Sequence, residues 1–203
     1  EATEWKKPIF VKVAAVHDIG AIAAGISRSS ADAVVIDGFR GGTGAAPKVF
    51  RDHVGIPIEV AISKVDQTLM EQGVRNEISV IASGGIRSSA DLAKSIALGA
   101  DAVYIGTAAL VALGCRVCGN CYRNLCPWGI ATQRPDLVSR LDPEAGAAQV
   151  SNLIHGWTLE LGELMGAAGI NSIESLRGNR NRLRGYMLDE GTLKVLDVLP
   201  AGA

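Results

Sequence analysis

The sequence predicts an α/β fold assembled from repeated helix-then-strand units. The strongest indication is an internal repeat, since ADAVVIDG at residues 31–38 and ADAVYIGT at residues 100–107 are near copies. The composition agrees, because 24 glycines in 203 residues, together with abundant Ala, Val and Ile, suit buried parallel strands joined by tight turns. A repeated unit of this kind builds either a (β/α) barrel or a doubly wound sheet.

Short apolar runs give the elements of this fold. Asp18 is predicted to cap the first helix, and Ser89 to cap a helix over residues 89–99 that ends at Gly99. Another helix is expected across residues 67–72. Five strands are predicted, each apart from the last followed by a helical pattern, at residues 9–16, 31–38, 58–62, 78–82 and 100–107.

Lys12 is the one charged residue inside the first predicted strand. A lysine there can extend its ammonium group to the solvent at the strand end. We favour the alternative, that the ammonium group faces a ligand. Asp37 and Glu59, at the ends of predicted strands, are weaker candidates for the same site.

Glycine-rich loops follow three of the predicted strands, at residues 38–47, 83–89 and 106–110. In α/β folds the chemistry lies at these carboxyl ends of the strands. The last two loops each lead into a helix and would present backbone N–H groups to a phosphate. The G-x-G-x-x-G fingerprint is absent, which disfavours a Rossmann-type dinucleotide fold.

All four cysteines lie in one run with the spacing C-x2-C-x2-C-x4-C, followed directly by Pro127. Thiolates this close together can ligate an iron–sulfur cluster, which is the reading we favour. Structural zinc is the alternative, although zinc ribbons usually bring two separated CxxC knuckles. Disulfide-bonded or unligated thiols remain as weaker options, since nothing else indicates an oxidising compartment.

The C-terminal part is predicted to be helical, with Asp142 and Pro143 at the start of a long helix. Its apolar stripe of roughly four turns is expected to pack against the α/β part or a partner subunit. The arginine-rich residues 176–185 read as a solvated turn, or alternatively as a docking surface for an acidic partner such as ferredoxin. The predicted regions are residues 1–113, the cysteine loop 114–133 and the extension 134–203.

Composition excludes some classes of function. A formal net charge of −1 gives no reason to expect a nucleic-acid partner. No apolar run is long enough to span a bilayer and no signal peptide heads the chain, so we expect no membrane association and a cytoplasmic location. Because the first residue is Glu1, the chain is expected to be a processed or excerpted piece.

Three motifs in combination resemble the FMN-binding domain of glutamate synthase. They are GGTGAAP at residues 41–47, ASGGIRSSADLAKSIALGADAVYIGTAAL at residues 82–110, and the cysteine run ending in CPWGIATQ. The resemblance covers about residues 8–133, and the long helix is similar to archaeal-type members. It implies a (β/α)8 TIM barrel with FMN at the carboxyl ends of the strands and an iron–sulfur cluster beside the flavin.

The resemblance also implies roles for individual residues. Lys12 matches a catalytic strand lysine near the flavin and 2-oxoglutarate. The loop beside the isoalloxazine ring and the substrate is matched by Gly41, Gly42, Thr43 and Gly44. The FMN phosphate cradle is matched by Ser83, Gly84, Gly85, Gly106 and Thr107.

Two departures from the family pattern matter. Bacterial members place three cluster ligands as C-x5-C-x4-C, which falls here on Cys115, Cys121 and Cys126 and favours a [3Fe–4S] cluster. Cys118 is additional and would allow [4Fe–4S]. Five strands are three short of a closed barrel, so we expect the C-terminal part of a barrel that a missing N-terminal segment or another chain completes.

The implied activity is reduction of 2-iminoglutarate, formed from 2-oxoglutarate and ammonia, to glutamate. Electrons would come from ferredoxin or a reductase subunit. Three alternatives stay open: an N-methylglutamate synthase that uses methylamine, a cluster-carrying electron-transfer subunit without catalysis of its own, and an inosine-monophosphate-dehydrogenase-like FMN barrel. The last group shares the SGGI and IGT loops but lacks the cysteine run.

Overall fold

The computed structural model describes residues 7–39 and 46–203. Within them, four parallel strands form one sheet in the order β1-β2-β3-β4, which is also their order in the chain. Apolar, β-branched runs form all four strands, as expected for a sheet that is covered by helices. The strands are β1 Phe10–Ala14, β2 Ala33–Asp37, β3 Ser79–Ser83 and β4 Ala102–Tyr104.

The helices at residues 19–27, 58–71 and 89–97 pack on one face of this sheet. Val34, Ile36, Val80 and Ala82 point into a core shared with the helices, whereas Ala33, Val35 and Ile81 form a separate cluster on the opposite face. One-sided helices and consecutive strand order are typical of a barrel wall and not of a doubly wound sheet, which has helices on both faces. The helices are α1 Ile19–Ser27, α2 Lys48–His53, α3 Ile58–Glu71, α4 Ser89–Ala97 and α5 Thr107–Ala112.

The strand predicted at residues 58–62 is wrong, because these residues form the first turns of α3. Ile58, Ala61 and Ile62 are buried together with Val65 and Leu69 further along the helix. These positions follow a helical period and lie on one face of α3. The described sheet therefore has four strands and not five, and Glu59 lies in a helix and not at a strand end.

Both predicted caps in the α/β part need correction. Asp18 precedes α1 but has a φ of 57° and makes no side-chain cap hydrogen bond, since it lacks the extended backbone of an N-cap residue. Ser88, and not Ser89, caps α4: its backbone is extended and its Oγ accepts the Asp91 N–H at 3.2 Å. Ser89 Oγ instead donates to Glu160 Oε2 at 2.6 Å.

The C-terminal part is mainly helical, as predicted. Asp142 caps the long helix α7 by accepting the N–H groups of Glu144 and Ala145 at 3.0 and 3.3 Å. The helix runs for 25 residues, longer than expected, and packs against α4 and α5. Within the described structure Trp157 of the apolar stripe is buried, Ile154 and Leu164 are exposed, and the other stripe residues are partly buried. The remaining elements are α6 Pro135–Val138, α7 Pro143–Ala167, α8 Ile173–Leu176, α9 Glu190–Leu196 and two short strands, β5 Arg184–Gly185 and β6 Leu199–Pro200.

A group of charged side chains anchors this C-terminal part to the α/β part. Arg180 is 9% exposed and its Nη2 lies 2.7 Å from Asp66 Oδ2, while Arg75 Nε lies 2.6 Å from Asp66 Oδ1. Asp101 receives Arg75 at 2.9 Å and Arg177 at 2.6 Å. We call these five residues the acid–arginine cluster. The interpretation of residues 176–185 as a solvated turn is therefore wrong for Arg180, whose side chain is buried and paired with Asp66.

No helix in the described ranges is both long and apolar enough to cross a membrane.

Candidate functional site at the carboxyl edge of the sheet

The face of the sheet turned away from the helices carries a set of polar side chains. Lys12 is in register with Val35, and Asp37 is in register with Ser83. Because residues in register share a face and alternate residues point to opposite sides, Lys12, Asp37 and Ser83 lie together on the face of Val35 and Ile81. We call this the inner face. Asp37 and Ser83 end their strands, so the group lies at the carboxyl edge of the sheet.

The three side chains form a connected cluster. Lys12 Nζ lies 2.5 Å from Asp37 Oδ2, and Ser83 Oγ donates to the same oxygen at 3.4 Å. The Phe39 N–H donates to Asp37 Oδ1 at 3.0 Å. The carboxylate is 5% exposed, whereas the lysine side chain is 47% exposed. A buried anion is thus held by several donors, and a cation beside it reaches towards the solvent.

The loop after β3 begins with two glycines in the left-handed region, Gly84 at φ 81° and Gly85 at φ 89°. Gly84 also has no room for a side chain, because a Cβ atom would lie 2.1 Å from Phe39 N and 2.4 Å from Asp37 Oδ1. A Cβ atom at Gly85 would meet only Ile58 Cγ2, at 4.0 Å. The first glycine is therefore required by packing against Asp37, and the second only by its backbone conformation.

The loop after β4 reaches the same edge, because Ser83 and Tyr104 are in register. Gly106 is the N-cap residue of α5 and supplies no side-chain cap, and no acidic residue lies in the first turn of this helix. By contrast, the start of α4 already holds the Ser88 cap and the Asp91 carboxylate. Of these two helix starts, the one at Gly106 and Thr107 is the better suited to an anion.

The structure thus brings most of the predicted flavin-site residues to one edge: Lys12, Ser83, Gly84, Gly85, Gly106 and Thr107. Their roles towards a flavin stay predictions. Gly41, Gly42, Thr43 and Gly44 lie outside the described residues. Asp37 was only a weak candidate from the sequence, and the structure places it at the centre of the cluster. Lys12 pairs with Val35, and Asp37 lies two residues further along the same strand and therefore on the same face. Aligning the two strands in the sequence would have indicated this.

The cysteine loop follows α5 directly. Its four thiols are free, with Cys126 buried, Cys115 partly buried, and Cys118 and Cys121 exposed. In the described parts of the chain, no three Cys, His, Asp or Glu side chains are grouped so that they could hold a metal ion. Val117, whose N–H donates to Cys115 Sγ at 3.3 Å, has a φ of 53°, which is strained for a β-branched residue.

Cys126 lies in a turn rich in backbone donors. Burial opposes ionisation of its thiol, but hydrogen bonds from the N–H groups of Ala131, Trp128, Ile130 and Gly129 outweigh burial and lower the pKa of Cys126. The arrangement stabilises a thiolate, the form in which cysteine binds metals.

Two sets of contacts hold this turn in place. Asn124 Oδ1 accepts the Gln133 N–H at 2.6 Å and Thr132 Oγ1 at 3.1 Å. Gly129, at φ 78°, packs so tightly on α6 that a Cβ atom would lie 2.4 Å from the Leu137 carbonyl oxygen. Neither contact is indicated by a motif in the sequence, although Asn124, which is left-handed here, is of a residue type that favours this conformation.

A polar hollow of about 320 Å³ lies at the opposite, amino edge of the strands. It is lined by members of the acid–arginine cluster together with Asp32, Ile78 and Ser79. Asp32 and Asp101 accept the Ile9 and Val80 N–H groups at 2.6 and 2.7 Å, so these carboxylates hold strand ends in place. The hollow is therefore a consequence of structural contacts and is distinct from the Lys12 cluster.

Comparison with known proteins decides the family. The family model described as "Conserved region in glutamate synthase" matches residues 1–171. The chain belongs to the glutamate synthase family. This confirms the resemblance found in the sequence.

The relatives are substantially longer than this chain. It is 74% identical over 202 residues to "Archaeal glutamate synthase [NADPH]" of Methanocaldococcus jannaschii, covering all of this chain and 40% of that protein. It is 62% identical over 202 residues to "Archaeal-type glutamate synthase [NADPH]" of Thermotoga neapolitana, again covering 40% of the relative. "Ferredoxin-dependent glutamate synthase" of Pyropia yezoensis is 35% identical over 180 residues, which are 88% of this chain and 11% of that protein. The chain thus spans about two fifths of its archaeal-type relatives.

Solved structures share the fold at low sequence identity. A flavocytochrome b2 variant with benzoylformate superposes with a TM-score of 0.56 at 21% identity, covering 86% of this chain and 34% of that one. Mandelate oxidase with (S)-4-hydroxymandelic acid gives a TM-score of 0.53 at 19% identity, covering 85% and 36%. The likeness supports an α/β fold with a parallel sheet, consistent with part of a TIM barrel.

Proposed function

We propose that this chain is the part of a glutamate synthase that binds FMN and an iron–sulfur cluster. The reaction is reduction of 2-iminoglutarate, formed from 2-oxoglutarate and ammonia, to glutamate. One observation carries the proposal: a buried carboxylate holds Lys12 at the carboxyl edge of a barrel-type sheet, in a chain 74% identical to an archaeal glutamate synthase.

The residues at this edge fit a flavin mononucleotide. Its phosphate would be held by backbone N–H groups of the loops at Gly84, Gly85, Gly106 and Thr107. Gly84 and Gly85 have positive φ, and Gly106 and Thr107 are exposed at the start of α5. Ser83 would contribute at the end of β3. The loop at residues 41–44 is proposed to lie beside the isoalloxazine ring.

Lys12 is the residue proposed to meet the reacting groups. Its ammonium group can donate hydrogen bonds to a carboxylate of 2-oxoglutarate or to the pyrimidine edge of the flavin. Bound FMN would supply hydride to the imine carbon. The buried wall of Val35 and Ile81 beside Lys12 would exclude water from one side of the substrate.

The cysteine loop has the donor set of an iron–sulfur cluster, and its thiols would have to draw together to ligate one, since no three of them are grouped in the described structure. Four thiols lie within one short run, and the turn after Cys126 supplies N–H groups that stabilise a thiolate. We propose Cys115, Cys121 and Cys126 as ligands of a [3Fe–4S] cluster, with Cys118 as the fourth ligand if the cluster is [4Fe–4S]. Such a cluster would pass electrons to the flavin singly.

A further segment is proposed to complete the barrel. Within the described residues, β1 and β4 form the two edges of the sheet. Phe10 and Tyr104 lie on the inner face and are exposed, although large apolar side chains there would be covered in a closed barrel. The remaining three fifths of the relatives' length is the natural source of that cover.

The electron donor is proposed to be a reductase that uses NADPH, after the archaeal-type relatives, or ferredoxin, after the Pyropia protein. A cytoplasmic location belongs to the same proposal. No observation favours an N-methylglutamate synthase, a non-catalytic electron carrier or an inosine-monophosphate-dehydrogenase-like barrel over this function.

Cofactor analysis of anaerobically purified protein tests the proposal. We expect FMN on acid release, iron and acid-labile sulfide at about three or four per chain, and an EPR signal. A signal in the oxidised state indicates [3Fe–4S], whereas a signal only after dithionite indicates [4Fe–4S]. Cys115→Ser, Cys121→Ser or Cys126→Ser should each remove iron. Cys118→Ser should leave the iron content unchanged if the cluster is [3Fe–4S] and lower it if the cluster is [4Fe–4S]. Zinc without sulfide, or absence of FMN, would refute the proposal.

A further inference from the structure

We propose that Asp37 is a positioning residue that fixes the Lys12 ammonium group on the inner face, and that Gly84 is glycine to make room for this carboxylate. The inference rests on the proposed function, in which Lys12 meets the flavin or the 2-oxo acid. It adds a residue outside the motifs that carry the family resemblance, and it gives Gly84 a role other than phosphate binding.

The geometry around Asp37 is that of an anchor. Its two carboxylate oxygens accept from three different groups: Lys12 Nζ at 2.5 Å, the Phe39 N–H at 3.0 Å and Ser83 Oγ at 3.4 Å. These donors come from β1, from the turn after β2 and from the end of β3. A carboxylate bonded from three directions and 5% exposed has little freedom to move.

The lysine, in contrast, is a flexible side chain whose position Asp37 helps to set. Its side chain has four rotatable bonds and is 47% exposed, so packing alone leaves the ammonium group many places to occupy. The ion pair selects the placement next to the carboxyl edge of β2. Because the pair is electrically neutral as a whole, Lys12 offers a ligand a directed N–H group more than a net positive charge.

Gly84 is part of the same arrangement. A Cβ atom at residue 84 would overlap Asp37 Oδ1 at 2.4 Å and the Phe39 main chain at 2.1 Å. Both atoms belong to the hydrogen bond that fixes the carboxylate. A side chain at residue 84 must therefore displace the turn that orients Asp37, and with it Lys12.

Gly85 provides a matched control for Gly84. Both residues have nearly the same positive φ, 81° and 89°, so an alanine meets similar backbone strain at either one. Only the alanine at residue 84 meets Asp37 and Phe39. A difference between Gly84→Ala and Gly85→Ala therefore reports on the contact with Asp37 and not on strain.

The experiment measures how fast Lys12 of the folded protein reacts with acetic anhydride. The acetylated fraction is read by mass spectrometry of peptides after digestion, and the exposed Lys64 is the internal reference. Asp37→Asn keeps the shape of the side chain and the oxygen that accepts the Phe39 N–H. We expect it to speed labelling of Lys12 about fivefold, because losing a half-exposed ion pair changes a rate by about that factor. Gly84→Ala should do the same. Gly85→Ala, which shares the positive φ and the same loop, should change the Lys12 rate, relative to Lys64, much less than Gly84→Ala does.

An unchanged Lys12 rate in Asp37→Asn would overturn the positioning role. Equal rates in Gly84→Ala and Gly85→Ala would overturn the role of Gly84. Circular dichroism identifies a variant that fails to fold, and Asp37→Asn then decides alone. FMN content is measured in parallel: a parent without FMN refutes the proposed function, while the labelling result still decides the role of Asp37. With FMN bound, Asp37→Asn should raise the KM for 2-oxoglutarate.

Discussion

Replacing Arg180 with methionine tests whether the acid–arginine cluster holds the C-terminal part of the chain in place. Methionine keeps much of the apolar volume of the side chain but removes the guanidinium group that meets Asp66 at 2.7 Å and the Leu98 carbonyl oxygen at 2.7 Å. Both Arg180 and Asp66 are almost fully buried, with side chains 9% and 6% exposed. The substitution therefore leaves a buried carboxylate with one partner fewer.

The expected size of the effect follows from these contacts. Removing one partner of a buried ion pair costs about 3–5 kcal/mol. Two features reduce this cost. Asp66 keeps Arg75 Nε at 2.6 Å. In addition, Arg180 Nε is buried with no hydrogen-bond partner in the described structure, and removing such an atom returns about 1–3 kcal/mol. We expect a net loss of about 2 kcal/mol in the free energy of unfolding, or about 4–8 °C in Tm.

Urea unfolding followed by far-ultraviolet circular dichroism measures this loss. Arg182→Met is the matched control, because Arg182 lies two residues away in the same short turn and is exposed. The control should change the free energy of unfolding by less than about 0.5 kcal/mol. If Arg180→Met were no more destabilising than Arg182→Met, the buried ion pair would not anchor the C-terminal part and the argument would be refuted.

Three further substitutions probe local contacts. Burial raises the pKa of Asp91, but its bonds to Lys94 and to backbone and side-chain donors outweigh burial and lower the pKa from 3.8. The stability that Asp91→Asn removes should therefore be full above pH 3.8 and vanish as the pH falls through the lowered pKa. Urea titrations between about pH 2 and 7 measure this dependence. Asn124→Ala should remove the two hydrogen bonds that close the turn after Cys126. We expect it to lower the free energy of unfolding in urea by about 1–2 kcal/mol and to speed the release of iron to a chelator, and an unchanged release rate would contradict the role of these bonds. Gly129→Ala should cost about 2 kcal/mol or more, since its Cβ atom would overlap the Leu137 carbonyl oxygen at a positive φ; Gly169→Ala, with a similar φ and open space, is the control and should cost about 1 kcal/mol.

Residues 58–62 show why a local pattern can mistake a helix for a strand. A short run of apolar, β-branched residues fits a buried strand as well as a buried helix segment. The helical period becomes clear only when Val65 and Leu69 are included, because together with Ile58, Ala61 and Ile62 they mark one face of α3. The choice between Ser88 and Ser89 as the cap of α4 had the same difficulty, since only the backbone angles distinguish two adjacent serines.

The sequence by itself determined the features that depend on neighbouring residues. The repeat predicted β2 and β4, the Asp142-Pro143 pair predicted the start of α7, and the combined motifs predicted the family. Tertiary structure alone decided which distant side chains meet. Lys12, Asp37 and Ser83 come together because three strands align in register, and Arg180 finds Asp66 because the C-terminal part folds back onto α3. The partner of a charged residue is set by how helices and strands pack together, and residues that are neighbours in the sequence do not specify that packing.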